Sequence, residues 1–363
     1  MARYRIAWLP GDGVGKDVMQ AARIVLDRLD LDADYVEGDI GWEFWCREGD
    51  ALPARTIELL GNTHCALFGA ITSKHRHLAE QELTPSLRGK GFVYRSPIVR
   101  IRQLLDLYIC LRPCRSFAGN PLNYRDDIDL VVFRENTEDL YIGIEFDGVP
   151  PAMRSLPGMD RVPPDAAISL KVNTRQGCER IIRSAFEFAK NQNLKRITCV
   201  HKASVLRVSD GLFLETAQHI AHEYPEIVFD SKNVDALCMA LLKSPQDFRV
   251  IVAPNMYGDI VSDLASQLVG GLGFGCSGNI GRHYAVFEPS HGSAPKYAGK
   301  FVVNPIATIL AAKMMLNWLG ETHMAAAIQQ AVSQTILEGK VRTHDMGGSA
   351  STLELAEAVA GKL

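Results

Sequence analysis

Asp259 and Asp263 lie four residues apart in PNMYGDIVSD, residues 254–263. An apolar run precedes them at 248–253 (FRVIVA) and reads as a buried strand entering a turn. Ile260, Val261, Leu264 and Leu268 then follow a helical spacing. A helix starting near Tyr257 puts both carboxylates on one face, where they repel unless a cation or a basic side chain stands between them. Hard divalent cations take oxygen ligands of this kind. The plainer alternative has Asp259 in the first turn favouring the helix dipole and Asp263 solvated. Arg102, Arg112 and Arg134 each fall at or near the end of an apolar segment, and guanidinium forks match carboxylates in shape and charge. Three of them converging would suit an anion-rich ligand, whereas each alone suits a surface ion pair. Lys202 follows the apolar run 196–200 and His201; partly desolvated there it would be a usable proton acceptor, and otherwise an ordinary surface lysine. Asp235 falls on an otherwise apolar face of a helix over 234–242, where a buried carboxylate needs a partner.

The elements that would position these groups alternate between strand and helix, as in an α/β protein. A strand over 4–9 runs into Pro-Gly-Asp-Gly-Val-Gly (10–15), and a helix follows from 16 to about 29. The loop GDGVGK could cradle a phosphate or be only a tight strand–helix turn. A buried strand over 66–70 ends at Ile71-Thr72-Ser73. Residues 74–91 are polar, with a short helix over 78–83 and His75 and His77 as solvated loop residues. Ser96 before Pro97 marks a helix start, with Ile98, Ile101 and Leu105 as its apolar stripe and Arg102 interrupting it. Strands follow at 107–113 and 128–133. Prolines 150, 151, 157, 163 and 164 exclude a helix over 142–167, which reads as a protruding arm. Residues 173–191 form an amphipathic helix, 212–224 another, and 227–229 a strand. Residues 270–281 are glycine-rich, 285–288 form a short strand, and 305–319 and 324–337 are helical. Between them, 289–300 (PSHGSAPKYAGK) combines small residues, which let a backbone approach a ligand, with Lys296 and Lys300.

Composition narrows the function classes. The 363 residues are 47% apolar and 22% charged, as in a globular protein, with a formal charge of −3. That balance gives no reason to expect nucleic acid or an anionic membrane as a partner. No apolar run is long enough to cross a bilayer. The first residues enter a strand directly, without a signal-peptide pattern. Eight cysteines with no CxxC pair suit reduced thiols and a cytoplasmic location.

PNMYGDIVSDL, HGSAPKYAGK, FRENTEDLY (133–141) and LPGDGVG occur in an order that resembles the β-decarboxylating dehydrogenases of isocitrate, isopropylmalate, homoisocitrate and tartrate, over nearly the whole chain. The resemblance implies an α/β subunit with a large mixed sheet. A small domain of residues 106–264 would be inserted into a large cofactor domain of residues 1–105 and 265–363. The arm, about 142–170, would be a clasp joining a homodimer with shared active sites. It implies that Arg102, Arg112 and Arg134 clamp the malate carboxylates, that Tyr141 protonates the enol, and that Lys202 of the neighbouring subunit takes the hydroxyl proton. Asp259 and Asp263, with Asp235 of the other subunit, would hold Mg²⁺ or Mn²⁺. Thr72, Glu288, His291, Gly292, Ser293, Ala294, Lys296, Tyr297 and Asn304 would bind the cofactor. Lys296-Tyr297 resembles the NADP pattern of the family, although HDMGGSAST (344–352) lacks the tyrosine and arginine that complete many 2′-phosphate pockets; NADP is favoured and NAD possible. Ser96 is kept from the isocitrate enzymes, but Ile98 replaces their asparagine. The expected substrate is a 2-hydroxy di- or tricarboxylic acid, isocitrate first, with homoisocitrate or 3-isopropylmalate as alternatives. A non-catalytic regulatory subunit is the competing class, and the presence of Tyr141, Lys202 and the three aspartates argues against it.

Overall fold

Short β-branched runs alternating with amphipathic helices close into one ten-stranded sheet. The computed structural model describes residues 2–363. Its strands are β1 (Tyr4–Gly11), β2 (Ala33–Glu37), β3 (Cys65–Ala70), β4 (Ile109–Arg115), β5 (Asp129–Glu135), β6 (Glu145–Phe146), β7 (Ile168–Ser169), β8 (Arg196–His201), β9 (Val228–Asn233), β10 (Val250–Ala253), β11 (Cys276–Ile280) and β12 (Ala285–Pro289). The large sheet has the order β2-β1-β3-β12-β11-β4-β5-β10-β8-β9. Pairing is antiparallel at β12/β11, β11/β4 and β4/β5 and parallel elsewhere, so the sheet is mixed. Residues 1–105 and 265–363 supply the five strands of one half, and residues 106–264 supply the five of the other.

Both faces are covered. β3 and β10 are buried at every position, as strands between two helical layers must be; each fully buried Ile or Val there contributes roughly 1.5–3 kcal/mol. On one half, helices Val14–Leu26, Ile306–Trp318 and Thr352–Ala360 share a core with Ile6, Leu67 and Phe287. On the other, helices Arg175–Asn191 and Ser209–Ala221 pack on one face of the sheet. Helices Val234–Lys243 and Asn255–Leu268 pack on the opposite face. The arm is a two-stranded ladder of β6 and β7, closed around the 3-10 turns Pro151–Met153 and Met159–Arg161. The eight cysteines are free. Among the described residues no helix is long and apolar enough to cross a membrane.

Several expectations need correction. The helix carrying the aspartate pair begins at Asn255 rather than near Tyr257, so Asp259 stands in its second turn, beyond the free N–H groups. Arg102 does not interrupt its helix, Pro97–Leu104; it joins Ile98 and Ile101 on the buried face. Asp235 is no buried carboxylate: its side chain is 61% exposed, and the apolar residues beside it, Met239 and Leu242, are exposed as well. The stretch read only as glycine-rich contains β11, a central strand. Gly278 there lies under Met314 and Phe287, and a Cβ would stand 3.1 Å from each. Glycine, serine and asparagine carry little strand propensity, so tertiary packing decides the outcome.

Candidate active site

The helix Asn255–Leu268 lays Asp259 and Asp263 over the middle of β4 and the C-terminal end of β5. Those strands deliver Arg112 and Arg134 to the same place. Arg112 answers the like-charge problem: its Nη1 donates to Asp263 Oδ1 at 2.7 Å, and its Nη2 lies 3.3 Å from Asp259 Oδ1. Arg134, 1% exposed, pairs with Asp259 and donates from Nε to the Asn255 side-chain oxygen at 2.9 Å. Tyr141 lies in the 3-10 turn Leu140–Ile142 and donates from its hydroxyl to Asp259 Oδ2 at 2.7 Å. The Arg134 guanidinium lies 4.8 Å from the centre of the Tyr141 ring, within cation–π range.

Burial pushes the Asp259 carboxyl up, but Arg134, Arg112 and the Tyr141 hydroxyl together outweigh it and hold the group below the usual carboxylate range. For Asp263 burial wins over Arg112, and the like charge of Asp259 adds to it, so its affinity for a proton is raised. Burial also raises the Tyr141 phenol, which keeps its proton at neutral pH.

Arg102 reaches the same region from its helix and donates to Glu288 Oε1 at 3.0 Å. Asn279, on the β11 strand, donates to that oxygen at 2.7 Å and accepts from Asn136 at 3.0 Å. Arg102 Nε, Arg112 Nε and Arg134 Nη2 are buried without a hydrogen-bond partner. Three orphaned guanidinium nitrogens are costly in an ordinary interior, and carboxylate oxygens would satisfy them. A cavity of about 180 Å³ is lined by two of these arginines, Arg102 and Arg112, with Ile98, Glu288, His291 and Gly292.

His291 and Gly292 also border a second cavity, of about 690 Å³, walled by Ala294, Tyr297, Asn304 and Asp345. Asn304 donates to Asp345 Oδ2 at 3.0 Å and accepts from the Ile306 N–H. Burial lowers the His291 imidazole, which keeps it neutral, and its Nε2 has no partner. Thr72 meets Ser293, hydroxyl to hydroxyl, at 2.7 Å. Lys296 is exposed, with its ammonium 4.8 Å from the centre of the Tyr297 ring. Ser96 caps the helix at Pro97 without a side-chain bond.

One chain does not bring all the expected residues together. Lys202, at the end of β8, pairs with Asp235, and no hydrogen bond or ion pair joins these two to Asp259 or Asp263. Among the described residues no three ligand-type side chains of one chain converge.

Sequence reasoning missed Asp12, in the PGDGVG loop. It is 8% exposed and accepts from the backbone of Trp42 at 2.8 Å and of Thr72 at 2.9 Å, so it holds the glycine loop against the Thr72 turn. Burial raises its carboxyl despite these bonds. It also missed Asn279 and Asp345, which carry no motif. Gly13 has φ +55°, and a Cβ there would run into the Ser293 carbonyl oxygen. Gly13→Ala is expected to force this loop off the Ser293 turn and to cost about 1–3 kcal/mol of stability; urea unfolding of the variant beside wild type checks this.

The family model described as Isocitrate/isopropylmalate dehydrogenase matches residues 5–359. The chain belongs to this family. The 3-isopropylmalate dehydrogenase of Methanothermobacter thermautotrophicus is 39% identical, covering 100% of this chain and 99% of that protein. The isocitrate/homoisocitrate dehydrogenase of Thermus thermophilus is 42% identical over 98% of this chain and 97% of its own. A crystal structure of isocitrate dehydrogenase from Methylococcus capsulatus superposes with TM-score 0.88 at 38% identity, covering 99% of both chains. The expected fold class is thereby established. The protein is a decarboxylating oxidoreductase of a family that works with NAD(P) and a divalent metal on small hydroxy-carboxylic acids.

Proposed function

We propose that the protein oxidises and decarboxylates a 3-substituted malate to the corresponding 2-oxo acid and CO₂, with isocitrate, which gives 2-oxoglutarate, first among the candidates. The observation that carries this reading is the set of three buried arginines, each with an unpaired guanidinium nitrogen, beside the Asp259–Asp263 pair. In it Arg102, Arg112 and Arg134 bind the two carboxylates of the malate core. The partner subunit's Lys202 accepts the C2 hydroxyl proton, and Tyr141 returns a proton to C3 after CO₂ leaves. NAD(P), in the larger cavity, supplies the hydride acceptor. Asp259, Asp263 and the partner subunit's Asp235 would hold a divalent cation, which would supply Lewis-acid polarisation; Mg²⁺ and Mn²⁺ both suit an all-carboxylate donor set. The donor set fits a cation only when two chains combine. The exposed stripe of Met239, Leu242, Met256 and Ile260 on the two helices that carry the aspartates supports a homodimer with shared sites.

For the third substituent, Ser96 has a hydroxyl without a capping role, and Arg95 is exposed beside it. Arg100 is already paired with Asp50. A hydroxyl and an exposed guanidinium suit the third carboxylate of isocitrate or homoisocitrate. A second reading, 3-isopropylmalate, is favoured by the apolar Ile98, which lines the smaller cavity. A panel of the three acids with both cofactors, with and without chelator, tests this. Isocitrate is expected to lead in kcat/KM, and a tenfold or greater preference for isopropylmalate, about 1.4 kcal/mol, would overturn the assignment.

NADP⁺ is the proposed cofactor, with NAD⁺ also accepted, because Tyr297 lines the larger cavity and the exposed Lys296 lies against its ring, a hydroxyl and a cation suited to a 2′-phosphate. Lys296→Asp is expected to raise KM for NADP⁺ by about tenfold or more and to leave KM for NAD⁺ within a factor of about three; initial rates with each cofactor decide it.

A further inference from the structure

Lys171 is nearly buried and stands between two more deeply buried carboxylates. Its ammonium lies 2.6 Å from Asp139 Oδ1 and 3.4 Å from Asp210 Oδ1, with side-chain exposures of 13% for the lysine, 1% for Asp139 and 0% for Asp210. Besides the Tyr257 hydroxyl, which hydrogen-bonds Asp210, these carboxylates meet backbone N–H groups in three different segments. Asp139 accepts from Leu140 at 2.8 Å and, through Oδ2, from Met256 at 3.0 Å. Asp210 Oδ2 accepts from Lys202 at 2.7 Å. Asp139 itself holds a left-handed conformation, φ 67°, which a non-glycine residue keeps only when its surroundings impose it. One ammonium therefore ties together the turn that presents Tyr141, the first turn of the helix that presents Asp259 and Asp263, and the residue Lys202.

We infer that Lys171 is a positioning residue that couples the two active sites of the dimer. This rests on the proposed sharing of sites. In that arrangement Tyr141 and Asp259 serve a subunit's own site, while its Lys202 serves the partner's. A lesion at Lys171 leaves two buried carboxylates facing each other without the cation between them. It then displaces Tyr141 in one site and Lys202 in the other at once. A residue that supports only its own site would disturb one of them.

The test uses hybrid dimers assembled from differently tagged subunits. A hybrid of Tyr141→Phe with Lys202→Met subunits checks the sharing first. Activity near half that of wild type, from two inactive parents, establishes shared sites, and no recovery removes the dimer reading on which the inference rests. A hybrid of Lys171→Met with wild type is then measured. A lesion confined to one site leaves about half the activity, and a coupled lesion leaves less than about a quarter. A value of a quarter or more, or a Lys171→Met homodimer as active as wild type, overturns the inference. Amide hydrogen exchange supplies a readout independent of turnover. Lys171→Met is expected to speed exchange at Leu140, Met256 and Lys202 together, and a change confined to one of these segments overturns the inference. Should Lys171→Met fail to fold, Asp210→Asn, which keeps the shape and removes one charge, is read by the same two measurements.

Discussion

Asp259→Asn is expected to lower kcat/KM by about 10³-fold, the scale set by removing one group that stabilises charge in a transition state. The loss should exceed that of any other single substitution at the site because this carboxylate has several duties. It meets two of the three buried arginines, Arg112 and Arg134, accepts the Tyr141 hydroxyl, and belongs to the proposed metal donor set. The neutral amide also leaves the Arg134 guanidinium without its counter-charge. Stripping one partner from a buried pair costs about 3–5 kcal/mol; Asp259 keeps 31% of its side chain exposed, so about 2 kcal/mol of lost stability is the better expectation. The pH dependence has a definite sign. The folded protein holds the Asp259 carboxyl below its ordinary value, so this contribution to stability is present above the unfolded value, about 3.9, and is lost as pH falls through the lower folded one. Below about pH 4 the stability difference between wild type and Asp259→Asn should therefore shrink. Urea titrations at a series of pH values, run beside the kinetics, check both parts.

Tyr141→Phe should act differently. It keeps the ring that stacks on Arg134 and removes only the hydroxyl. The lost hydrogen bond to Asp259 is worth about 1 kcal/mol, so the fold should survive with a small shift in midpoint. Turnover should fall by about 10²–10³-fold, the range for a lost general acid, while KM for the acid stays within about threefold, because the arginines proposed to bind its carboxylates are untouched. Burial holds the phenol in its protonated form, which suits a donor. A rise in KM equal to the fall in kcat/KM would assign Tyr141 to binding instead.

Much of this site was legible in the chain, for a physical reason. Motifs such as PNMYGDIVSD and HGSAPKYAGK are continuous stretches, and a helical period or a glycine loop fixes which of their side chains point together. The helical period puts Asp259 and Asp263 on one face, and Arg112 and Arg134 meet them there; Tyr141, expected at the site only from the family resemblance, donates to Asp259. Legibility ended where long-range packing decides. Asn279 and Gly278 belong to a strand whose composition argues against one, and only Glu288, Phe287 and Met314 around them make it so. Nothing within PGDGVG marks Asp12 as buried; the backbone N–H groups of Trp42 and Thr72, distant in sequence, cover it. The final helix, Thr352–Ala360, could have been found from Ser351 and Glu354, which form a capping box. The exposure of Asp235, Met239 and Leu242 was hidden for another reason: an apolar helical face reads as core whether its cover is the same chain or another one.

The central claim is that carboxylates from two chains grip one divalent ion at the arginine-lined cavity. Anomalous diffraction from crystals of the protein soaked with Mn²⁺ and isocitrate tests it most directly. The account predicts a peak bounded by Asp259 and Asp263 of one subunit and Asp235 of the other. A map with no peak there, or with manganese held by residues of a single chain, would contradict it.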